Sequence, residues 1–230
     1  MNKLPVLFVS CNSEALEAHQ ESSGLARIIW GRRYDSVLLI SSGGDIDQPE
    51  ILRLTGEGNL ALSMQSLLQV QGFAPGIFSR ASGERAQLLS SLLANEPREL
   101  TELRLNTGMT ETEYRSIGHC LEVLREQRVL VICLDDTKGL NDSGSISLHD
   151  RQLRELIQGW AEDQRWSSAL SSAGFRAGLK ARKRERPLED PTVCILNTAF
   201  SLGGSQIPQR MFGSYLNDAR QTLSGYGWMH

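Results

Sequence analysis

Cys11 closes an apolar run that begins at Leu4, and a helix-compatible stretch follows it. A helix N-terminus lowers a thiol's pKa and favours the thiolate, so Cys11 is a candidate nucleophile. No histidine lies close to it in sequence, and an inert buried thiol is the plainer assignment. Asp135 and Asp136 follow a second apolar run, Val129–Leu134. Ligands of α/β sheets bind beyond the carboxyl ends of strands. Paired acids there could hold Mg²⁺ or act as a base, although turn formation and helix capping account for them equally well. Ser41-Ser42-Gly43-Gly44 ends a third run and could cradle an anion, but it lacks the GxGxxG and Walker spacings. Ser201–Ser205 reads as a turn.

The elements that would position these groups follow from periodicity. Residues 5–10 and 36–42 are short Val-, Leu- and Ile-rich runs separated by a helix-compatible segment from Glu14 to Arg33. That order predicts a βαβ unit with a parallel strand pair. Leu60, Met64, Leu67 and Leu68 recur at helical spacing, with Asn59 as expected N-cap and Gly72 as stop. A weaker helix is expected over Glu84–Leu93. Thr110 and Glu113 have capping-box spacing before a helix over Tyr114–Gln127, which runs into a central strand. A further helix is expected over Ser147–Trp166. Thr192–Phe200 is compatible with a helix or a strand. The alternation predicts one α/β domain over residues 1–230, with a central mixed or mostly parallel sheet flanked by helices.

Composition sets outer bounds. The chain has 230 residues, 40% apolar and 22% charged, with a net charge of −3. That balance argues against a chain-wide field for nucleic acid or a membrane surface. Lys180–Arg186 is the one charge run, and it has no interleaved aromatics. Four cysteines without a CxxC pair fit a reducing, cytoplasmic setting. The longest apolar runs are too short for a membrane-spanning helix. LPVLFVSC weakly resembles a lipoprotein signal and reads better as a first buried strand.

Three segments, LPVLFVSCNS (4–13), SVLLISSGG (36–44) and YRSIGHCLEVLREQRVLVICLDD (114–136), carry a resemblance. In order and spacing they are similar to the class III extradiol ring-cleavage dioxygenases of the DOPA-dioxygenase and protocatechuate-dioxygenase catalytic-subunit type. The phrase IGHCLEVLREQRVLVI looks like that family's Gly-x-x-Leu-x-x-Leu-Arg-x-x-x-Val-Leu-Ile signature. The resemblance implies the family's scaffold and, in ordinary members, Fe(II) held by two His and a carboxylate or third His.

The iron ligands are missing from the matching positions. Cys11-Asn12-Ser13 stands where the family has His-Gly-Ser, and Ser41-Ser42-Gly43 where it has Ser-Ala-His. Pro191, with Glu189 and Asp190, stands near the third ligand. Lys138-Gly139-Leu140 replaces His-Asn-Leu, and Arg80-Ala-Ser-Gly83 replaces an Asp-His-Gly. His19, His119, His149 and His230 do not fall at these places. The expectation is a chain without a cofactor, neither iron nor another metal. It would be a non-catalytic structural or regulatory subunit or a binding protein. The alternatives are a repurposed enzyme using Cys11, Asp135, Asp136 and Lys138, with Asn12, Ser13, Ser42 and Gly43 lining an old aromatic-substrate pocket, or an atypical ring-cleavage dioxygenase. A small aromatic ligand and a homodimer or an assembly with a same-fold subunit are the expected partners. The large side chains of Arg210–His230, Tyr226 and Trp228 among them, are the candidate interface, or else the final strand and helix of the core.

Overall fold

The computed structural model describes residues 3–11, 29, 31, 33–43, 46–79, 93, 97–136, 159, 187–188, 190–215 and 222–229; at Ser10, Cys11, Asp136, Arg210, 212–215 and 222–224 it describes the backbone alone. Most of the expected helices at 84–93 and 147–166, and the basic run, lie outside these residues.

Eight strands form one sheet. They are β1 (Val6–Cys11), β2 (Ser36–Gly43), β3 (Glu50–Thr55), β4 (Gly76–Ser79), β5 (Glu99–Asn106), β6 (Val129–Asp136), β7 (Gln209–Tyr215) and β8 (Thr222–Trp228), in the order β4-β3-β5-β2-β6-β1-β8-β7. The inner four, β5-β2-β6-β1, are parallel, and antiparallel pairings join β3 and β8 to them. The sheet is therefore mixed. The expected direct pairing of β1 with β2 does not occur: they run the same way, but β6 sits between them and pairs with both.

Three helices are described: α1 (Asn59–Val70), α2 (Glu111–Leu121, continued by a 3₁₀ turn to Gln127) and α3 (Pro191–Leu202). The capping box at the start of α2 forms as its spacing requires: the Glu113 amide donates to Thr110 Oγ1, and the Thr110 amide donates to Glu113 Oε2 at 2.7 Å. The segment left open at 192–200 is helical because Asp190 caps it, accepting from the Thr192 and Val193 amides, and Pro191 supplies a preset first turn. Asn59 is not the cap of α1. Gly58, at φ 88°, precedes the helix, and the Asn59 and Leu60 amides donate to the Glu99 carboxylate at the start of β5, at 2.9 and 2.6 Å. Gly72 ends α1 as expected. Its positive φ lets its own amide and that of Phe73 close on the Gln69 and Leu68 carbonyls. Gly204 ends α3 in the same way, so the expected turn at Ser201–Ser205 begins only after Leu202, since Ser201 and Leu202 are still helical.

Strand alternation sorts the core into two faces. Val6, Phe8, Leu38, Ile40, Val131 and Cys133 pack with α1, α2 and α3. Leu7, Val9, Leu39, Leu130 and Ile132 face the other way, with Ile29 and Leu93. The chain's last stretch is a strand hairpin, not a strand and helix. Tyr226 and Trp228 are buried in the first core, so neither side chain is available to an interface.

Two residues fix how α2 and α3 meet the sheet. A Cβ on Gly118 would overlap the Thr198 carbonyl oxygen and stand 2.9 Å from Ser201 Cβ, so α2 and α3 touch backbone to backbone there. Arg125 is 1% exposed; its Nε donates to the Leu4 carbonyl at 2.6 Å and its Nη1 to the Leu202 carbonyl at 2.8 Å. Gly118→Ala is expected to cost about 1–3 kcal/mol through overpacking, measured as a lowered urea midpoint with an unchanged m-value. Arg125→Met fills the same volume but strands two buried carbonyls, and about 2–4 kcal/mol is expected. A loss under about 0.5 kcal/mol, the ordinary surface range, would show that the guanidinium is dispensable.

Candidate functional site

The carboxyl ends of the four inner strands lie side by side. Cys11 pairs in register with Asp136, and Ser10 with Asp135. Gly43 pairs with Asn106, and it lies three residues beyond the Ile40–Cys133 pair, level with Asp136. The topology thus brings Cys11, Asp136, Ser42 and Gly43 to one edge. Asn12, Ser13 and Lys138 lie outside the described residues, as do the side chains of Cys11 and Asp136.

The candidates do not share one face. Asp135 is buried on the α3 side, where its Oδ1 accepts from Thr192 Oγ1 at 3.0 Å. Its carboxylate thereby fastens the end of β6 to the first turn of α3. Asp190, near the expected third ligand, is exposed and holds helix amides. Ser41 turns to the opposite face and donates to the buried Glu102 Oε1 at 2.5 Å. Ser41-Ser42-Gly43 is a strand paired along its length with β5, not an anion-cradling loop.

At Gly43 the space of a side chain is already filled. A Cβ there would stand 2.8 Å from Ile46 Cδ1 and 3.2 Å from both Nε and Nη2 of Arg104. Arg104, on β5, is held by Glu50 of β3, with Nη1 to Oε2 at 3.1 Å. A guanidinium therefore occupies the place where a metal-ligand side chain is expected from the resemblance. Of the expected ligand positions that are described, Gly43 offers no side-chain ligand and Asp190 is engaged as a cap. Among the described residues no group of three His, Cys, Asp or Glu is placed to hold one.

The environment of the described thiols disfavours the thiolate. Burial pushes the Cys120 thiol up to about 11, and it pushes Cys133 and Cys194 upward as well. His119 is exposed at the end of α2, 3.8 Å from Glu122; His19, His149 and His230 lie outside the described residues. Sequence reasoning missed Arg104 and Asn106. Their strand, ELTELRLN, carries two Glu and an Arg, which hid its alternation of buried Leu103 and Leu105. A cleft of about 570 Å³ opens at the other, amino-terminal edge, where Ser36, Glu99 and Val129 begin β2, β5 and β6. Its acid Glu99 is engaged by the α1 amides.

No family model and no curated protein matches the chain. Solved structures do: among them is the crystal structure of an uncharacterized protein, JW3007, from Escherichia coli K12, with a TM-score of 0.58 and 9% identity over 98% of this chain and 99% of that one. The likeness extends over both chains and is one of fold.

Asp135 is expected to serve stability. Asp135→Ala should cost about 1–3 kcal/mol by leaving Thr192 without its acceptor and α3 loosely fastened, read from thermal or urea unfolding. Unchanged stability would return Asp135 to the catalytic candidates.

Proposed function

We propose that the chain is a degenerate member of the class III extradiol dioxygenase scaffold, without its iron chemistry, acting as a non-catalytic subunit or binding protein. The observation that carries this reading is the filled Gly43 position. A histidine there would have to displace Arg104 from its ion pair with Glu50 and push Ile46 aside. The segments that resemble the family most closely build the sheet and the α2–α3 contact. Metal binding does not enter into that work.

A second reading, a repurposed enzyme, is favoured by one fact: Cys11 and Asp136 end neighbouring strands in register. It requires a thiolate at Cys11 and a substrate that the sequence does not name.

Elemental analysis of the purified protein separates these readings from an atypical dioxygenase. Well under one iron per chain is expected, with no oxygen uptake on catechols. Stoichiometric iron together with uptake would refute the proposal.

A chain retained for binding or support should also associate. β4 and β7 are the two outer strands of the sheet, each paired on one side only among the described residues. We expect light scattering at micromolar concentration to give at least twice the mass of one chain, or a pull-down to recover a same-fold partner. A monomer with no partner recovered would sink this part of the proposal.

A further inference from the structure

Residues 58–79 contain no Asp, Glu, Lys, Arg or His, in a chain of which 22% is charged. They include α1 and β4, the outer strand that among the described residues pairs with β3 alone. Residues 191–209 are uncharged as well, but there α3 is buried from Cys194 to Leu202, and its place in the core explains the composition. Burial does not explain it at α1 and β4. Leu62 on α1 is 58% exposed and Phe78 on β4 is 50% exposed, and Ser66, Gln69 and Ser79 are exposed too. The flank of α1 that carries Leu62 lies toward β4: Gln65, one turn on, donates from Nε2 to the carbonyl of Pro75, just before the strand, at 3.0 Å. The other outer strand, β7, has a register break between Arg210 and Phe212 and carries the charge of Arg210, two devices that spoil an edge for pairing. β4 has neither.

We infer that the β4 edge and the adjoining flank of α1 join two copies of this chain about a two-fold axis perpendicular to the sheet. Close to such an axis each charge meets its own counterpart, so an uncharged patch suits a second copy. Arg53 reaches the end of β4, with Nη2 to Ser79 Oγ at 2.6 Å, and antiparallel pairing carries the two Arg53 side chains to opposite ends of the joint. The axis keeps each face of the sheet on its own side. In the register centred on Ile77, Phe78 of each copy therefore falls opposite Gly76 of the other; in the register centred on Phe78 the two rings are directly opposed. Gly76 has no side chain, and the Phe78 ring of its own strand lies over it, with ring atoms 2.8 Å from where a Cβ would stand. In both registers the two Phe78 rings become neighbours, on the face away from the core that Ile77 joins. β4 is only a short ladder, and the α1 flanks add to the contact on the Ile77 face. The inference deepens the association part of the proposed reading and rests on it.

The test is the mass of the full chain by light scattering over a dilution series, for the natural sequence and for Phe78→Lys, Phe78→Glu and Leu62→Glu. The natural chain should show twice the mass of one chain at micromolar concentration. Each Phe78 variant should raise the Kd of the dimer at least about tenfold. An equimolar mixture of the two should recover a dimer, because unlike charges then meet across the joint. Leu62→Glu should weaken the dimer in the same direction. Both positions are exposed, so the variants should fold, which far-UV circular dichroism checks. A dimer undiminished in any of the three folded variants overturns the joint and leaves the association reading standing, and so does a mixture of the Phe78 variants that stays monomeric. A monomeric natural chain from which a pull-down recovers an unlike, same-fold partner overturns the second copy as occupant and keeps that reading. A monomer with no partner overturns both.

Discussion

The guanidinium of Arg125 holds the chain's distant parts in one arrangement. It sits inside the protein and ties the carbonyl of Leu4, just before β1, to that of Leu202, at the end of α3. A third link runs back from the Leu4 amide to the Arg125 carbonyl. Burial pulls the Arg125 pKa below its usual value, yet an arginine stays charged in any ordinary protein setting. A buried cation is tolerated only where hydrogen bonds replace its water. Both helices beside it then have to lie close, and Gly118 permits that approach. Arg115 extends the contact, with its Nε to Asn197 Oδ1 at 3.1 Å and its guanidinium 5.2 Å from the Phe200 ring centroid.

Gly118, Leu121, Leu124 and Arg125 are also the residues of the phrase by which the sequence resembles the dioxygenases. Their work here is architectural: close helix approach, core filling and a buried clamp. On the proposed reading, that accounts for such a phrase in a chain without the iron ligands. The geometry of α2, α3 and β6 requires it whatever the strand ends do. The strand ends answer to a separate constraint, the chemistry of what binds there, and they can change while the frame stays.

Legibility in the sequence followed the same division. β1, β2 and β6 were readable as dense Val, Leu and Ile runs, and α1 and α2 from apolar spacing and the Thr110–Glu113 box. β5 was not, because Glu99, Glu102 and Arg104 interrupt its hydrophobic alternation for reasons outside the strand: Glu99 caps α1, Glu102 receives Ser41, and Arg104 fills the space at Gly43. The cap of α1 was misread for a related reason. Its acceptor comes from a strand 40 residues away, and no local pattern points to it. The C-terminal hairpin was hidden by its glycines, Gly213, Gly225 and Gly227, which look like loop residues but pair as strand. Cys11, Gly43 and Asp136 end strands whose carboxyl ends lie at one edge. That Asp135 and Ser41 lie on opposite faces was not readable, since strand order and register decide it.

Acidic groups show how completely the frame uses its polar side chains. Glu99 is fixed by helix amides, Asp135 by Thr192, Asp190 by the start of α3 and Glu113 by Thr110. Each would have counted as a catalytic candidate by residue type, and each has a partner that accounts for it. Glu50 belongs with them, because it orients Arg104 through one nitrogen. Among the described residues, the Asn106 carboxamide oxygen, two residues along β5 from Arg104, is buried without such a partner.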